Sequence, residues 1–252
     1  PIPADRTSWG VSAIIRERAE DRVRLLISDL SQAASVAGSP EQQVGALFNS
    51  WMDISELDKL GISPLSEDLN RIASIDSLDA LADEFGRQYL IGGISPFSAW
   101  IGLNPVNPDE YKLSIGLSGL GLGDRDYYLE DSERMNHIRY EYKQHIAKML
   151  SFANYDVSVA WPSRILAIET QIAELQWIRS DRRDRDKTFN PTLTSELTNT
   201  HPEFPWLRFL SARGVDAVEE INLSHPDTIG PLIDFIRNTE IADWRAYLTF
   251  HM

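Results

Sequence analysis

Trp161-Pro162-Ser163-Arg164-Ile165-Leu166-Ala167-Ile168-Glu169-Thr170-Gln171-Ile172-Ala173-Glu174-Leu175 is the stretch on which the fold class turns. Ile165, Ile168, Ile172 and Leu175 recur every three or four residues, so they lie on one stripe of a helix. Pro162 falls in the first turns, where its missing N–H is tolerated. The spacing predicts a helix over Val157 to Ser180. Moving outward, the same period returns. Ser132 to Ala153 reads as the preceding helix. Ser8 to about Ala37 carries Val11, Ile14, Ile15, Val23, Leu25, Leu26 and Leu30 among charged residues, a long amphipathic helix. Gly38-Ser39-Pro40 stops it, and Pro40-Glu41 opens the next, with Val44, Leu47, Phe48, Trp51 and Met52. Ser66 to Ile75 and Ser77 to Leu90 read as two more, with Ser77 as N-cap. On the C-terminal side a short helix near Pro205 to Ala212 and a final one near Asp227 to Phe250 are expected.

The period changes between Gly92 and Leu122. Ala99 to Leu103 and Tyr111 to Ile115 are β-type runs, and Asn104 to Asp109 between them is turn-like. One small β-hairpin is expected there, and a polar loop over Arg182 to Pro191. There is no internal repeat and no low-complexity linker. The expected fold is mainly α: one multi-helix domain over residues 1–252 with a single small hairpin.

The composition is that of a globular chain. Of 252 residues, 42% are hydrophobic and 25% charged, enough to bury a core. A net charge of −14 disfavours nucleic acid and anionic lipid as partners. With no cysteine, disulfides, thiolate catalysis and thiolate metal sites are excluded. No apolar run reaches the ~20 residues of a membrane span. The opening Pro1-Ile2-Pro3, without methionine, suggests a trimmed or processed chain.

Few motifs carry chemistry. Gly116, Gly119, Gly121 and Gly123 follow an expected strand, but their spacing is not that of a dinucleotide loop and no Gly-Lys-Ser/Thr occurs. Asp124, Asp126, Glu130 and Asp131 would repel a phosphate, so a turn that lets backbones approach closely is expected instead. The histidines are His137, His145, His201, His225 and His251, with no His-Glu-x-x-His. His137 and His145 share a helix face, yet eight residues separate them by roughly 12 Å, too far for one metal ion. Arg179, Arg182, Arg183, Arg185 and Lys187 alternate with Asp181, Asp184 and Asp186, which reads as a charge-compensated loop. The tryptophans read as core anchors. Asn222-Leu223-Ser224 is a glycosylation sequon by pattern alone. Bottom-up, the residues support an acidic, mostly helical globular domain.

Two segments go further. Gly119-Leu120-Gly121-Leu122-Gly123-Asp124-Arg125-Asp126-Tyr127-Tyr128-Leu129 resembles the signature Gly-Leu-x-Leu-Pro-Asp-Arg-Asp-Tyr-Tyr-Leu of the M13, or neprilysin-like, zinc peptidases. Arg182-Arg183-Asp184-x-x-Lys187-Thr188-Phe189-Asn190 is similar to that family's Arg-Arg-Asp-x-x-Lys-x-Tyr-Asn. Arg139-Tyr140, His145-Ile146, Met149-Leu150, Ile168-Glu169, Gly61 to Leu65, Ile2-Pro3 and Trp9-Gly10 keep the family order. Gly123 stands where the family has proline, and Leu117 where many members have glutamine.

The resemblance implies the helical, non-catalytic lid domain of a two-domain peptidase, with the catalytic domain outside this sequence. It implies zinc in that missing domain and none here, no catalytic residue in this chain, and a role as the wall and size filter of a peptide cavity. The implied partners are peptide substrates and the catalytic domain of the same protein, in a periplasmic or extracellular setting. It places Arg16 on a position where some members bind a substrate's C-terminal carboxylate, and Ser8 where neprilysin has its other arginine. Read from its own neighbours, Arg16 is equally a solvated helix residue paired with Glu20. The alternative function is a free-standing helical binding module without catalysis.

Overall fold

The computed structural model describes Ile2, residues 9–155 and residues 160–252. Chain contacts divide into two compact units, Pro1–Pro64 and Leu65–Met252.

The first unit is a layer of three helices: α1 (Val11–Gln32), α2 (Pro40–Met52) and α3 (Ile54–Leu60). Gly38 at φ +81° makes the turn that a β-carbon would strain. Ser39 then caps α2, its side chain accepting from the Gln42 N–H at 3.2 Å, and Pro40 occupies the first turn. Asp53 caps α3 in the same way through the Glu56 N–H at 3.0 Å. Where α1 and α2 touch, Gly45 is the contact: a β-carbon there would lie 2.4 Å from the Leu30 carbonyl oxygen. The Asn49 amide donates to the Ser31 carbonyl at 2.9 Å. α1 buries none of its residues, and α2 buries Gly45 alone. The expected start of α1 at Ser8 lies outside the described residues, and α1 ends at Gln32 rather than Ala37 because Ala33 turns extended.

The second unit holds the core. α4 (Ser66–Ala73) and α5 (Leu78–Ile91) lead into β1 (Phe97–Leu103) and β2 (Tyr111–Leu117). Then come α6 (Asp126–Leu129), α7 (Glu133–Phe152) and α8 (Trp161–Leu175). α9 (Arg185–Thr188), β3 (Pro191–Leu193), α10 (Thr194–Thr200), α11 (Trp206–Ala212), β4 (Glu220–Leu223), α12 (Pro226–Asn238) and α13 (Ile241–His251) complete it. Ser77 caps α5 through the Ala80 N–H, as expected, and Ser132 caps α7 through the Met135 N–H. Ile165, Ile168 and Ile172 of the α8 stripe are buried, whereas Leu175 is only partly so. That helix stops at Leu175, short of Ser180, because Gln176 is extended; the expected first residues, from Val157, lie outside the described residues.

The expected hairpin forms, Phe97 pairing Leu117 through to Leu103 pairing Tyr111. It is half of a larger sheet. β4 adds in parallel to β2 and β3 adds antiparallel to β4, giving the order β1-β2-β4-β3. The polar loop expected over Arg182 to Pro191 therefore ends in an edge strand, and Pro191 is tolerated there because an edge position needs no second hydrogen-bond partner. The single final helix is two: Thr239 turns extended at φ −95°, ψ 137°. The break lets Trp244 return to α12, where its indole N–H donates to the Ile236 carbonyl at 3.2 Å.

One sheet face and the helices enclose the core. Phe97, Phe204, Trp206 and Phe209 form one aromatic cluster, with centroids 4.8 to 6.2 Å apart. Trp244 contacts Phe85 at 5.3 Å and Tyr247 at 5.4 Å in edge geometry. Two tryptophans depart from core anchoring: Trp51 is 76% exposed and Trp100 45%.

Candidate functional site

Arg16 lies on α1, exposed, on the lip of an open groove of about 770 Å³ in the first unit. Ala19, Val23, Ile27 and Phe48 make that groove largely apolar. Among the described residues Arg16 makes no hydrogen bond or ion pair, and the pair with Glu20 is not formed. Two turns further on, Arg24 does pair within the helix, with Asp21 at 3.0 Å. A guanidinium on an apolar lip can take a carboxylate in bidentate fashion.

The signature segments meet in the second unit, and their meeting point is structural. Asp124 is 5% exposed. Its Oδ2 accepts from Arg179 Nε at 3.1 Å and Nη2 at 2.8 Å, and from Arg182 Nη2 at 2.8 Å. Burial disfavours ionisation of this carboxyl, but the Arg179 hydrogen bond and the charges of Arg182 and Arg179 outweigh it and hold its pKa below the usual carboxylate value. Arg125 Nε donates to the Ala173 carbonyl of α8 at 3.2 Å. From the other segment, Asn190 Nδ2 donates to the Leu223 carbonyl at 2.9 Å, and the Asn190 N–H donates to Asn222 Oδ1 at 2.6 Å. Asn222, the asparagine of the sequon pattern, is 6% exposed and also donates to Ser114 Oγ and the Thr188 carbonyl. It is a clip between strands, committed on both ends of its amide.

A second polar centre lies inside the core. Glu169 of α8 is fully buried. Tyr128 donates to its Oε2 at 2.7 Å, Tyr142 to its Oε1 at 2.9 Å, and His251 Nε2 lies 2.6 Å from the same Oε1. Burial, then the Glu169 charge, raises the pKa of both tyrosines, so they stay neutral donors. The glycine run passes over this centre. A β-carbon at Gly121 would lie 1.9 Å from the Tyr142 hydroxyl; Gly119 has φ +98°, and its carbonyl accepts from Tyr247 at 2.8 Å. Close backbone approach is the physical use of those glycines, as the sequence suggested. This carboxylate–tyrosine–histidine centre was not anticipated; Ile168-Glu169 carried only the signal of family order.

Among the described residues no three His, Asp or Glu side chains are placed to hold one ion. His137 and His145 are both exposed on α7, and the His145 ring packs on Phe250 at 5.9 Å. Another concavity is a cleft of about 680 Å³ on the sheet of the second unit, bordered by Trp100, Lys112, Arg182, Arg185, Phe189 and His225.

Comparison with known proteins gives a consistent picture. A sequence model of Peptidase family M13 matches residues 1–252. Endothelin-converting enzyme-like 1 of Rattus norvegicus is 25% identical over 268 residues, covering 100% of this chain and 34% of that protein. Endothelin-converting enzyme 1 of Homo sapiens is 24% identical over 234 residues, covering 90% of this chain and 30% of that protein. The crystal structure of the zinc metalloprotease Zmp1 of Mycobacterium tuberculosis in complex with inhibitor superposes with a TM-score of 0.88 at 27% identity, covering 100% of this chain and 39% of that one. PepO from Lactobacillus rhamnosis HN001 shares the fold, with a TM-score of 0.73 at 16% identity, covering 99% of this chain and 40% of that one. The chain thus spans about a third of the length of the curated relatives it matches.

Proposed function

This chain belongs to peptidase family M13, and from that premise we propose that it is the non-catalytic, helical lid portion of a zinc-dependent metalloendopeptidase, walling the cavity that receives peptides and limiting the size that enters. Zinc and the catalytic residues are then carried by a catalytic domain outside these 252 residues. Arg16 takes the C-terminal carboxylate of the peptide, and the setting is periplasmic or extracellular. Among the described residues no helix is long and apolar enough to cross a membrane.

The observation that carries this reading is the set of large apolar side chains left exposed on the helices of the first unit. Ile15 is 61% exposed, Leu25 60%, Leu47 70% and Trp51 76%, on two helices that bury almost nothing. A run of large apolar side chains left to water marks a surface made to be covered by another protein body. In this reading the partner is the catalytic domain of the same protein.

The test compares zinc content and chelator-sensitive peptide hydrolysis in the 252-residue chain and in the full-length product of its gene. We expect stoichiometric zinc and chelator-sensitive hydrolysis in the full-length protein, and neither in the 252 residues. Zinc-dependent cleavage by the 252-residue chain would overturn the reading. So would a full-length product without zinc or activity, which is what a free-standing helical binding module would give. In the active protein, Arg16→Ala is expected to raise KM about tenfold for peptides with a free C-terminus and to leave amidated peptides unchanged.

A further inference from the structure

The sheet of the second unit has two faces of opposite character. Phe97, Ala99, Leu113, Ile115, Ile221 and Leu223 turn into the core. Strand alternation therefore sends Ser98, Trp100, Ser114, Asn222 and the glycines 102 and 116 to the other face. That face floors the cleft of about 680 Å³, within the ~300–1,000 Å³ typical of ligand sites. The floor is small and polar. Trp100 lies folded over Gly102, where a β-carbon would come within 2.0 Å of its ring, and the ring remains 45% exposed. Phe189 adds a second aromatic surface, with Lys112 Nζ 5.9 Å from its centroid.

The charges are lopsided. The chain has 38 acidic residues and a net charge of −14, yet the described lining contains Lys112, Arg182 and Arg185 and no carboxylate. Lys112 is paired with Glu220, and Arg182 with Asp124. Arg182 shares that carboxylate with Arg179, and Arg185 is the guanidinium of the lining without an ion pair among the described residues, beside two aromatic surfaces. His225 adds a donor: its Nδ1 accepts from the Leu117 N–H at 3.3 Å, which leaves the proton on Nε2. Burial, then the Arg182 charge, lowers its pKa and keeps the ring neutral.

We propose that this cleft is a second peptide-binding site, which holds an acidic peptide segment by one side-chain carboxylate on Arg185 and by an apolar side chain against Trp100 and Phe189. One unpaired planar guanidinium matches a single carboxylate. The site uses side-chain carboxylates in the second unit, so it is independent of Arg16 and of any catalytic activity.

The test is calorimetric titration of the chain with acetyl-Ala-Glu-Phe-Glu-Ala-amide and with its Gln-for-Glu counterpart. Both ends are blocked, so neither peptide offers a C-terminal carboxylate to Arg16. We expect the acidic peptide to bind, the Gln peptide to bind about tenfold more weakly, and Arg185→Glu and Trp100→Ala each to weaken acidic-peptide binding about tenfold. Thermal unfolding should be unchanged in Arg185→Glu, and Arg16→Glu should leave binding intact. The proposal is overturned if the acidic peptide does not bind at millimolar concentration, or if the Gln peptide binds equally. It is also overturned if both cleft variants retain binding, or if Arg16→Glu abolishes it.

Discussion

At Asp124 two segments 58 residues apart in the chain are joined by one carboxylate oxygen that accepts from both Arg179 and Arg182. The sequence marked Asp124 as acidic and part of a recurring signature; it did not show where the charge goes. Its folded pKa lies below its unfolded value, so its stabilisation is complete above about pH 4 and is lost as pH falls through the folded value. Asp124→Asn should cost about 1.5–3 kcal/mol near pH 7, the worth of hydrogen bonds to a charged group. Denaturant unfolding at neutral pH and near pH 3 checks this: the gap between wild type and variant should shrink at the lower pH. An equal gap at both would show that the ion pairs contribute nothing. Arg16 has its proposed role only by resemblance, and the Glu20 pair that its own neighbours predicted does not form. Arg185 was legible as one cation in an alternating run. Its lack of a partner was not, because pairing depends on which acids the fold brings near.

Helix caps are the most local features and the best read. Ser77 accepts from the backbone N–H three residues on, as its position ahead of an apolar run suggested, and Ser39 and Ser132 cap their helices in the same way. The packing of α1 on α2 is less visible, because it depends on Gly45. The obstacle to a larger residue there is the Leu30 carbonyl, which is backbone and cannot swing aside. Gly45→Val should push the helices apart at a cost of about 1–3 kcal/mol. Amide hydrogen exchange should then speed up across Val11–Met52 and stay unchanged in β1 and β2. Unaltered protection in α1 and α2 would refute the close-packing argument. β3 and β4 were missed because three or four residues are too few to display a period of two.

The whole molecule is uneven: a second unit with a dense aromatic core, and a first unit whose helices keep their apolar residues in water. That imbalance predicts behaviour in solution. The chain alone should bind a hydrophobic dye and self-associate with rising concentration, and Leu47→Glu with Trp51→Glu should reduce both. Sedimentation showing a monomer at all concentrations, with no dye binding, would mean the face needs no cover. The sequence by itself determined the helical class, the Ser77 cap, the hairpin and the family, because periodicity, capping and motif order are written in neighbouring residues. Only the tertiary structure decided the parallel pairing of β4 with β2, the break between α12 and α13, the buried Glu169 centre and the carboxylate-free cleft. The sheet pairing, the Glu169 centre and the cleft exist because residues distant in the chain complete one another's hydrogen bonds or leave a charge without an ion pair, and no local pattern records such a pairing.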